Sequence, residues 1–174
     1  GYRCGALVIN AALFLPQSRP RLFVIGVHAG MEIDPALVAP GPIEPFHTRG
    51  LQSAVERLPS DLQSSMVWWN VPTPSRRNTI FASMIEEDPT SVSWHTPAET
   101  QQLLNMMSPI NFAKVNAAKR AGHRVVGGVY KRTRFDDNGI KVQRAEVRFD
   151  DISGCLRTPS GGSSRQVIVV IDGD

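Results

Sequence analysis

Two stretches of β-forming residues flank a strong turn signal, and they constrain the fold more than any other part of the chain. The stretches cover residues 124–135 and 140–149, and Asp136-Asp137-Asn138-Gly139 joins them. Asn-Gly provides the left-handed backbone conformations that a tight hairpin turn needs. The sequence therefore predicts an antiparallel β-hairpin, in which every second residue of a strand lies on the same face.

One face of the predicted hairpin is rich in arginine. Its members are Tyr130, Arg132 and Arg134 on the first strand and Arg144, Glu146 and Arg148 on the second. The other face of the second strand carries Ala145, Val147 and Phe149. A β-ribbon with a cationic face fits the major groove of DNA. The alternative is a solvated outer face, which antiparallel sheets commonly have.

Positive charge is concentrated in one part of the chain, although the formal net charge is only +3. Residues 1–95 carry seven arginines and eight acidic residues. Residues 114–165 carry twelve lysines and arginines against five acidic residues. A local excess of positive charge is suited to binding a polyanion, although an ordinary basic surface can have the same composition.

A second cluster of hydrogen-bond donors precedes an apolar strand near the start of the chain. Gln17, Arg19 and Arg21 occupy every second position, and prolines follow Leu15 and Arg19. A residue before proline is restricted to extended conformations, so three side chains about 6.6 Å apart are expected on one face. Two guanidinium groups placed in this way suit phosphates or a base edge. The alternative is a strand that begins in solvent, with arginines that form local salt bridges.

Helix signals occur in the middle of the chain. Thr96-Pro97-Ala98-Glu99 is a capping box with proline at the first helical position, and Ser108-Pro109 begins a second helix that ends at Gly122. Residues 78–87 are also expected to form a helix, with Ile80 and Met84 turned inward. In the second helix, Phe112 and Val115 are expected to pack inward. Together with the strands, these helices predict a mixed α+β fold.

Composition excludes several classes of protein. The 174 residues suit one domain, or one domain and a remnant of another. Cys4 and Cys155 are too few for a disulfide framework, so we expect small buried or half-buried thiols and a reducing, cytoplasmic setting. The four histidines show no metal-ligand spacing, and no apolar run is long enough for a membrane span. We therefore expect neither a metal nor a membrane partner.

Two segments match the motifs of a known family. Residues 1–28 contain a Gly-Tyr strand, then Pro16, Gln17, Arg19 and Arg21 in the pattern Pro-Gln-x-Arg-x-Arg, then a hydrophobic strand. This segment resembles the eighth conserved motif of DNA (cytosine-5) methyltransferases. Residues 148–152 and 155–166, which include Arg157-Thr158-Pro159-Ser160-Gly161-Gly162-Ser163-Ser164-Arg165, resemble the segment that closes the family's target recognition region.

The resemblance implies a bacterial-type enzyme that is cytoplasmic and associated with the nucleoid. Such an enzyme flips a cytosine out of double-stranded DNA and transfers a methyl group from S-adenosylmethionine to its C5 atom. The resemblance assigns contact with the target cytosine to Arg19 and Arg21, with support from Gln17. The expected DNA-binding residues are Arg132, Arg134, Arg144, Arg148, Arg157, Thr158, Ser163 and Arg165. A flexible loop tip is the alternative for the last four.

The resemblance also divides the chain. Residues 1–34 correspond to a remnant of the doubly wound α/β methyltransferase domain and 35–50 to a linker. Residues 51–165 correspond to the target recognition domain, and 166–174 form a strand that returns toward the catalytic domain. The glycine-rich cofactor loop, the Pro-Cys nucleophile loop and the Glu-Asn-Val motif are absent.

We therefore expect a portion of an enzyme that is inactive by itself. S-adenosylmethionine belongs to the full-length enzyme, and no cofactor is expected to bind this chain. Two other interpretations remain open from the sequence. One is a non-enzymatic, sequence-specific DNA-binding module, and the other is a basic domain that binds an acidic protein.

Overall fold

The computed structural model of the chain describes residues 1–156 and 165–172. The chain divides into two compact units, residues 1–14 with 19–77 and residues 15–18 with 78–174. Helices and small antiparallel sheets are both present, which confirms the mixed α+β class. Residues 35–50, the predicted linker, lie inside the first unit. The assignment of functional domains stays a prediction.

The first unit is built on a β-ribbon. Strands β1 (Tyr2–Asn10) and β2 (Pro20–His28) pair antiparallel along their whole length, with Tyr2 opposite His28 and Asn10 opposite Pro20. The short strands β3 (Val38–Ala39) and β4 (Trp68–Trp69) form a second antiparallel pair. Helices α1 (Arg49–Val55) and α2 (Ser60–Ser64) lie between them in sequence.

The core of the first unit lies beside β1. One buried cluster contains Leu7, Phe46, Val67 and Trp69, and another contains Ala6, Leu51 and Val55. The Val67 N–H donates to the Cys4 carbonyl at 2.8 Å. A Cβ atom on Gly5 would lie 2.0 Å from the Val67 carbonyl oxygen, so only glycine allows the backbones to approach this closely.

Strand β2 is apolar but exposed. Leu22, Phe23, Val24 and Ile25 are 60%, 48%, 69% and 38% exposed, respectively. Among the described residues, β2 pairs with β1 alone. A continuous apolar run is typical of a strand covered on both faces, and the described residues do not supply that cover.

The second unit contains a three-stranded antiparallel sheet in the order β6-β5-β7. Its strands are β5 (Val125–Phe135), β6 (Lys141–Arg148) and β7 (Gln166–Ile171), and its helices are α3 (Pro97–Asn105) and α4 (Pro109–Lys119). Met107, Val115, Val129, Ala145 and Val147 form the buried core. The predicted hairpin is therefore confirmed, and one face of its sheet is covered by the helices.

Local signals account for the ends of several elements. Thr96 and Glu99 form the predicted capping box at the start of α3, and the Ser108 hydroxyl accepts from the Asn111 N–H at the start of α4. Gly122, after α4, and Gly139, in the hairpin turn, have φ values of +67° and +74°. Left-handed conformations of this kind favour glycine, so both residues end their segments as predicted.

Three expectations are wrong. Residues 78–87 contain only a short 3-10 turn at Ala82–Met84, and Ile80 and Met84 are exposed. Phe112, expected to pack inward from α4, is 41% exposed. Cys4, expected to be buried or half-buried, is exposed, although Ala6, two residues further along the same face of β1, is buried.

Candidate nucleic-acid interface

The register of β5 and β6 places the predicted arginines on one face of the sheet. Arg132 lies opposite Arg144, Tyr130 lies opposite Glu146, and Gly128 lies opposite Arg148. Directly opposed residues of an antiparallel pair point to the same side. The core residues Val129, Ala145 and Val147 alternate with them and point to the other side. We call the outer surface formed by Tyr130, Arg132, Arg134, Arg144, Glu146 and Arg148 the arginine face.

Glu146 is the carboxylate at the centre of this face. The Nε group of Arg134 donates to Glu146 Oε1 at 2.7 Å, and Arg134 Nη2 contacts the same oxygen. Arg132 Nε lies 3.5 Å from Glu146 Oε2. The Arg132 guanidinium group also lies over the Tyr130 ring, 4.8 Å from its centroid. One carboxylate therefore neutralises at most one of the two guanidinium groups that it holds.

Arg144 adds a positive charge that no other described residue compensates. Its side chain is exposed and makes neither a hydrogen bond nor an ion pair with another residue in the ranges that the structure describes. Like charges that face each other across a strand pair destabilise the sheet, and Arg144 faces Arg132. An external anion between them would remove this repulsion.

Arg148 is held differently. Its Nε donates to Asp150 Oδ1 at 2.7 Å, and its Nη2 contacts the second carboxylate oxygen. This bidentate pairing raises the pKa of Arg148, and the same hydrogen bonds hold the pKa of Asp150 below its usual value. The Arg148 side chain is 25% exposed, and its planar fork is already occupied by a carboxylate. It is therefore a poorer anion ligand than Arg144.

The two segments that carry the family resemblance meet within the second unit. Gln17 and Ser153 form a parallel β-bridge. The Ser153 N–H donates to the Pro16 carbonyl at 2.8 Å, and the Ser18 N–H donates to the Ser153 carbonyl at 2.9 Å. The buried Ser153 hydroxyl also donates to the Pro16 carbonyl, at 3.1 Å, across 137 positions of sequence. These bonds fix the backbone next to Gln17.

Arg19 and Arg21 belong to the first unit, at the start of β2, and both are exposed. The Asn10 side-chain oxygen accepts from the Arg19 N–H at 2.9 Å and from the Ala12 N–H at 3.1 Å. Arg21 Nη1 donates to the Pro20 carbonyl at 2.8 Å. Asn10 thus positions the backbone that carries Arg19. The shared face of Gln17, Arg19 and Arg21 stays a prediction.

Three expected DNA-binding residues, Arg157, Thr158 and Ser163, lie outside the described residues. Arg165 is exposed at the start of β7. The neighbouring Gln166 side chain accepts from the Gly154 N–H at 3.0 Å and donates to the Cys155 carbonyl at 3.2 Å. The Gln166 side chain therefore connects the residues that precede Arg157, Thr158 and Ser163 in the sequence to the strand that follows them.

Sequence reasoning missed the roles of Glu146, Asp150 and Gln166. The pattern Arg144-x-Glu146-x-Arg148 places a carboxylate and two arginines on one strand face, which is the signal that indicates a charge cluster. No comparable signal indicates Gln166, because its partners are backbone groups eleven and twelve positions away. Contacts of that kind become visible only in the folded chain.

Searches for metal sites, membrane spans and similar proteins give negative findings. In residues 1–156 and 165–172, no group of three His, Cys, Asp or Glu side chains could hold a metal ion. Across the same ranges, no helix has the length and apolarity needed to cross a membrane. No protein-family model, curated protein or solved structure matches the chain.

Proposed function

We propose that this chain binds double-stranded DNA through the arginine face of β5 and β6. The observation that carries the proposal is the imbalance of charge on that face. Arg132 and Arg134 share the single carboxylate of Glu146, and Arg144 has no partner among the described residues. Exposed guanidinium groups in excess over carboxylates are suited to phosphates and to base edges.

Within that class, we propose the DNA-recognition portion of a bacterial DNA (cytosine-5) methyltransferase. The resemblance of residues 1–28 and 148–166 to the family supports this assignment. The backbone pairing of Gln17 with Ser153 also supports it, because it joins the two matching segments. A cytoplasmic setting is part of the same proposal.

In this proposal, Arg19 and Arg21 contact the flipped cytosine. A guanidinium group on the cytosine carbonyl oxygen would hold the ring and stabilise the negative charge that develops when a nucleophile adds to C6. The methyl donor, S-adenosylmethionine, would supply the methyl group that C5 receives. The sequence contains neither the family's cofactor loop nor its Pro-Cys loop, so the residues of this chain do not fit the cofactor.

A salt titration of DNA binding tests the proposal. Fluorescence anisotropy with a labelled duplex should show affinity that falls steeply with salt, by about 0.9 logarithmic units per tenfold increase in salt for each neutralised phosphate. Arg144→Ala should weaken binding and reduce the salt dependence by about 0.9 logarithmic units, which is the contribution of one phosphate contact. Arg57→Ala is the matched control, because Arg57 is an exposed arginine in the other unit.

The two remaining interpretations predict other results. A domain that binds acidic proteins would prefer an acidic protein over duplex DNA at matched salt, and that result would contradict the proposal. A non-enzymatic DNA-binding module would bind DNA in the same way. The gene would distinguish such a module from a methyltransferase, because it would encode no Pro-Cys loop and no glycine-rich cofactor motif.

A further inference from the structure

We propose that Glu146 is a positioning residue that orients Arg132 and Arg134 to read guanine in the major groove. This inference rests on the proposed DNA-binding function and adds a base preference to it. The carboxylate of Glu146 contacts both of these guanidinium groups.

Glu146 fixes one edge of the Arg134 guanidinium group and leaves another edge exposed. Arg134 Nε and Nη2 both contact Glu146 Oε1. The Nη1 group and the outer N–H of Nη2 therefore remain available, since arginine has five N–H donors in a planar fork. The Arg134 side chain is 50% exposed, so this second edge is accessible to a ligand.

Arg132 is oriented by two neighbours. Its Nε lies 3.5 Å from Glu146 Oε2, and its guanidinium carbon lies over the Tyr130 ring, 4.8 Å from the centroid. Contact with an aromatic face and pairing with a carboxylate restrict the movement of the group. The Arg132 side chain is nevertheless 54% exposed. It is thus an accessible fork that is held in place before any ligand binds.

Glu146 itself is held in the sheet. Its side chain is 18% exposed, whereas both arginines are about half exposed. A carboxylate with so little exposure needs partners, because a buried charge without them is costly. The two arginines are those partners. Their orientation is therefore part of what stabilises the folded sheet.

Guanine is the base that fits a fixed fork of donors. Its major-groove edge presents two acceptors, O6 and N7, whereas adenine presents an acceptor next to a donor. Arginine has donors only, so a bidentate contact is possible with guanine and is lost with adenine. A fork that cannot rotate makes this difference larger, since it cannot rearrange around the wrong base.

The other two arginines differ in ways that assign them other roles. Arg144 is exposed and has no partner within the described parts of the chain, so its side chain can follow a phosphate at any position. The fork of Arg148 is filled by Asp150. The face therefore combines two oriented arginines for bases, one exposed arginine for phosphates, and Arg148, which Asp150 already holds.

Selection from a pool of randomised DNA duplexes tests this assignment. The wild-type chain should enrich duplexes with guanine at one or two fixed positions. Glu146→Gln keeps the shape of the side chain but removes the charge. It should lower the preference for guanine about tenfold or more, because the two guanidinium groups lose the carboxylate that orients them. Arg144→Ala should instead weaken binding to selected and unselected duplexes to the same extent.

One further variant controls for loss of folding. Arg134→Lys retains the charge but not the fork, and it should also lose the guanine preference, with its folded state checked by circular dichroism. If Glu146→Gln and Arg134→Lys keep the wild-type preference, or if the wild type selects no guanine, Glu146 does not have this role and DNA binding stands. If the wild type shows no salt-dependent binding to any duplex, the proposed function fails together with the inference.

Discussion

At the scale of single residues, His47 combines an ionisable side chain with burial. It is fully buried in the first unit. Its Nδ1 atom accepts from the Ile43 N–H at 2.9 Å, and its ring meets Trp68 edge-on, with the centroids 4.9 Å apart. A histidine that accepts at Nδ1 carries its proton on Nε2, so His47 is neutral in the folded protein.

The burial of His47 makes stability depend on pH. Removal from water lowers its pKa below the ordinary value of 6.5, so the unfolded chain binds more protons than the folded chain as the pH falls below about 6.5. The free energy of unfolding should therefore decrease with falling pH, at up to about 1.4 kcal/mol per pH unit in that window. Urea unfolding at pH 7.5 and pH 5.5 measures the difference.

Substitution of the histidine should remove this dependence. His47→Gln is expected to be less stable at pH 7.5 but to lose less stability on acidification. His95→Gln is the control, because His95 is exposed in the second unit. An unchanged loss of stability in His47→Gln would assign the pH dependence to other groups.

At the scale of secondary-structure elements, the sequence correctly predicts the features that depend on residues close together in the chain. The capping box of Thr96 and Glu99 and the left-handed Gly139 lie within a few residues of the structure that they end, and both predictions are confirmed. The helix expected over residues 78–87 fails for the opposite reason. The Phe81 N–H donates to the carbonyl of Asp151 at 3.2 Å, whereas a helix from residue 78 would require the carbonyl four residues before Phe81.

Strand β5 offers a test of close packing between elements. A Cβ atom on Gly127 would lie 2.4 Å from Phe149 Cδ1 and 2.5 Å from the Arg148 carbonyl oxygen. Gly127→Ala should therefore destabilise the second unit by about 1–3 kcal/mol, because both the ring and the backbone would have to move. Thermal unfolding measures the effect. Gly41→Ala, where nothing lies within 4 Å of the added Cβ, should leave the melting temperature nearly unchanged.

At the scale of the whole chain, the sequence predicts a cationic sheet face but does not predict which of its arginines pair with Glu146. Alternation along each strand was enough to place Arg132, Arg134 and Arg144 together. Which of them Glu146 would hold depends on the register of two strands and on side-chain rotamers, which no single stretch determines. The bond from Ser153 to Pro16 spans 137 positions and has no local signal at all.

The proposed contact of Arg21 with a flipped cytosine is tested by methyl transfer in the proposed full-length methyltransferase. Arg21→Ala should lower single-turnover methyl transfer about 10²- to 10³-fold, as the loss of one charge-stabilising donor typically does. Duplex affinity should fall much less, because many other contacts hold the DNA. Arg57→Ala, in the same unit, should change neither quantity. Normal turnover of the bound complex combined with reduced affinity would exclude this role for Arg21.

The junction between Pro16 and Ser153 has a consequence for protein engineering. The Ser153 N–H and the Ser18 N–H make two of its three hydrogen bonds, and every acceptor is a backbone carbonyl. Most residue types can form the two bonds that backbone N–H groups donate, whereas the third bond needs the Ser153 hydroxyl group. Ser153→Ala would therefore keep the backbone joint and remove only the side-chain bond.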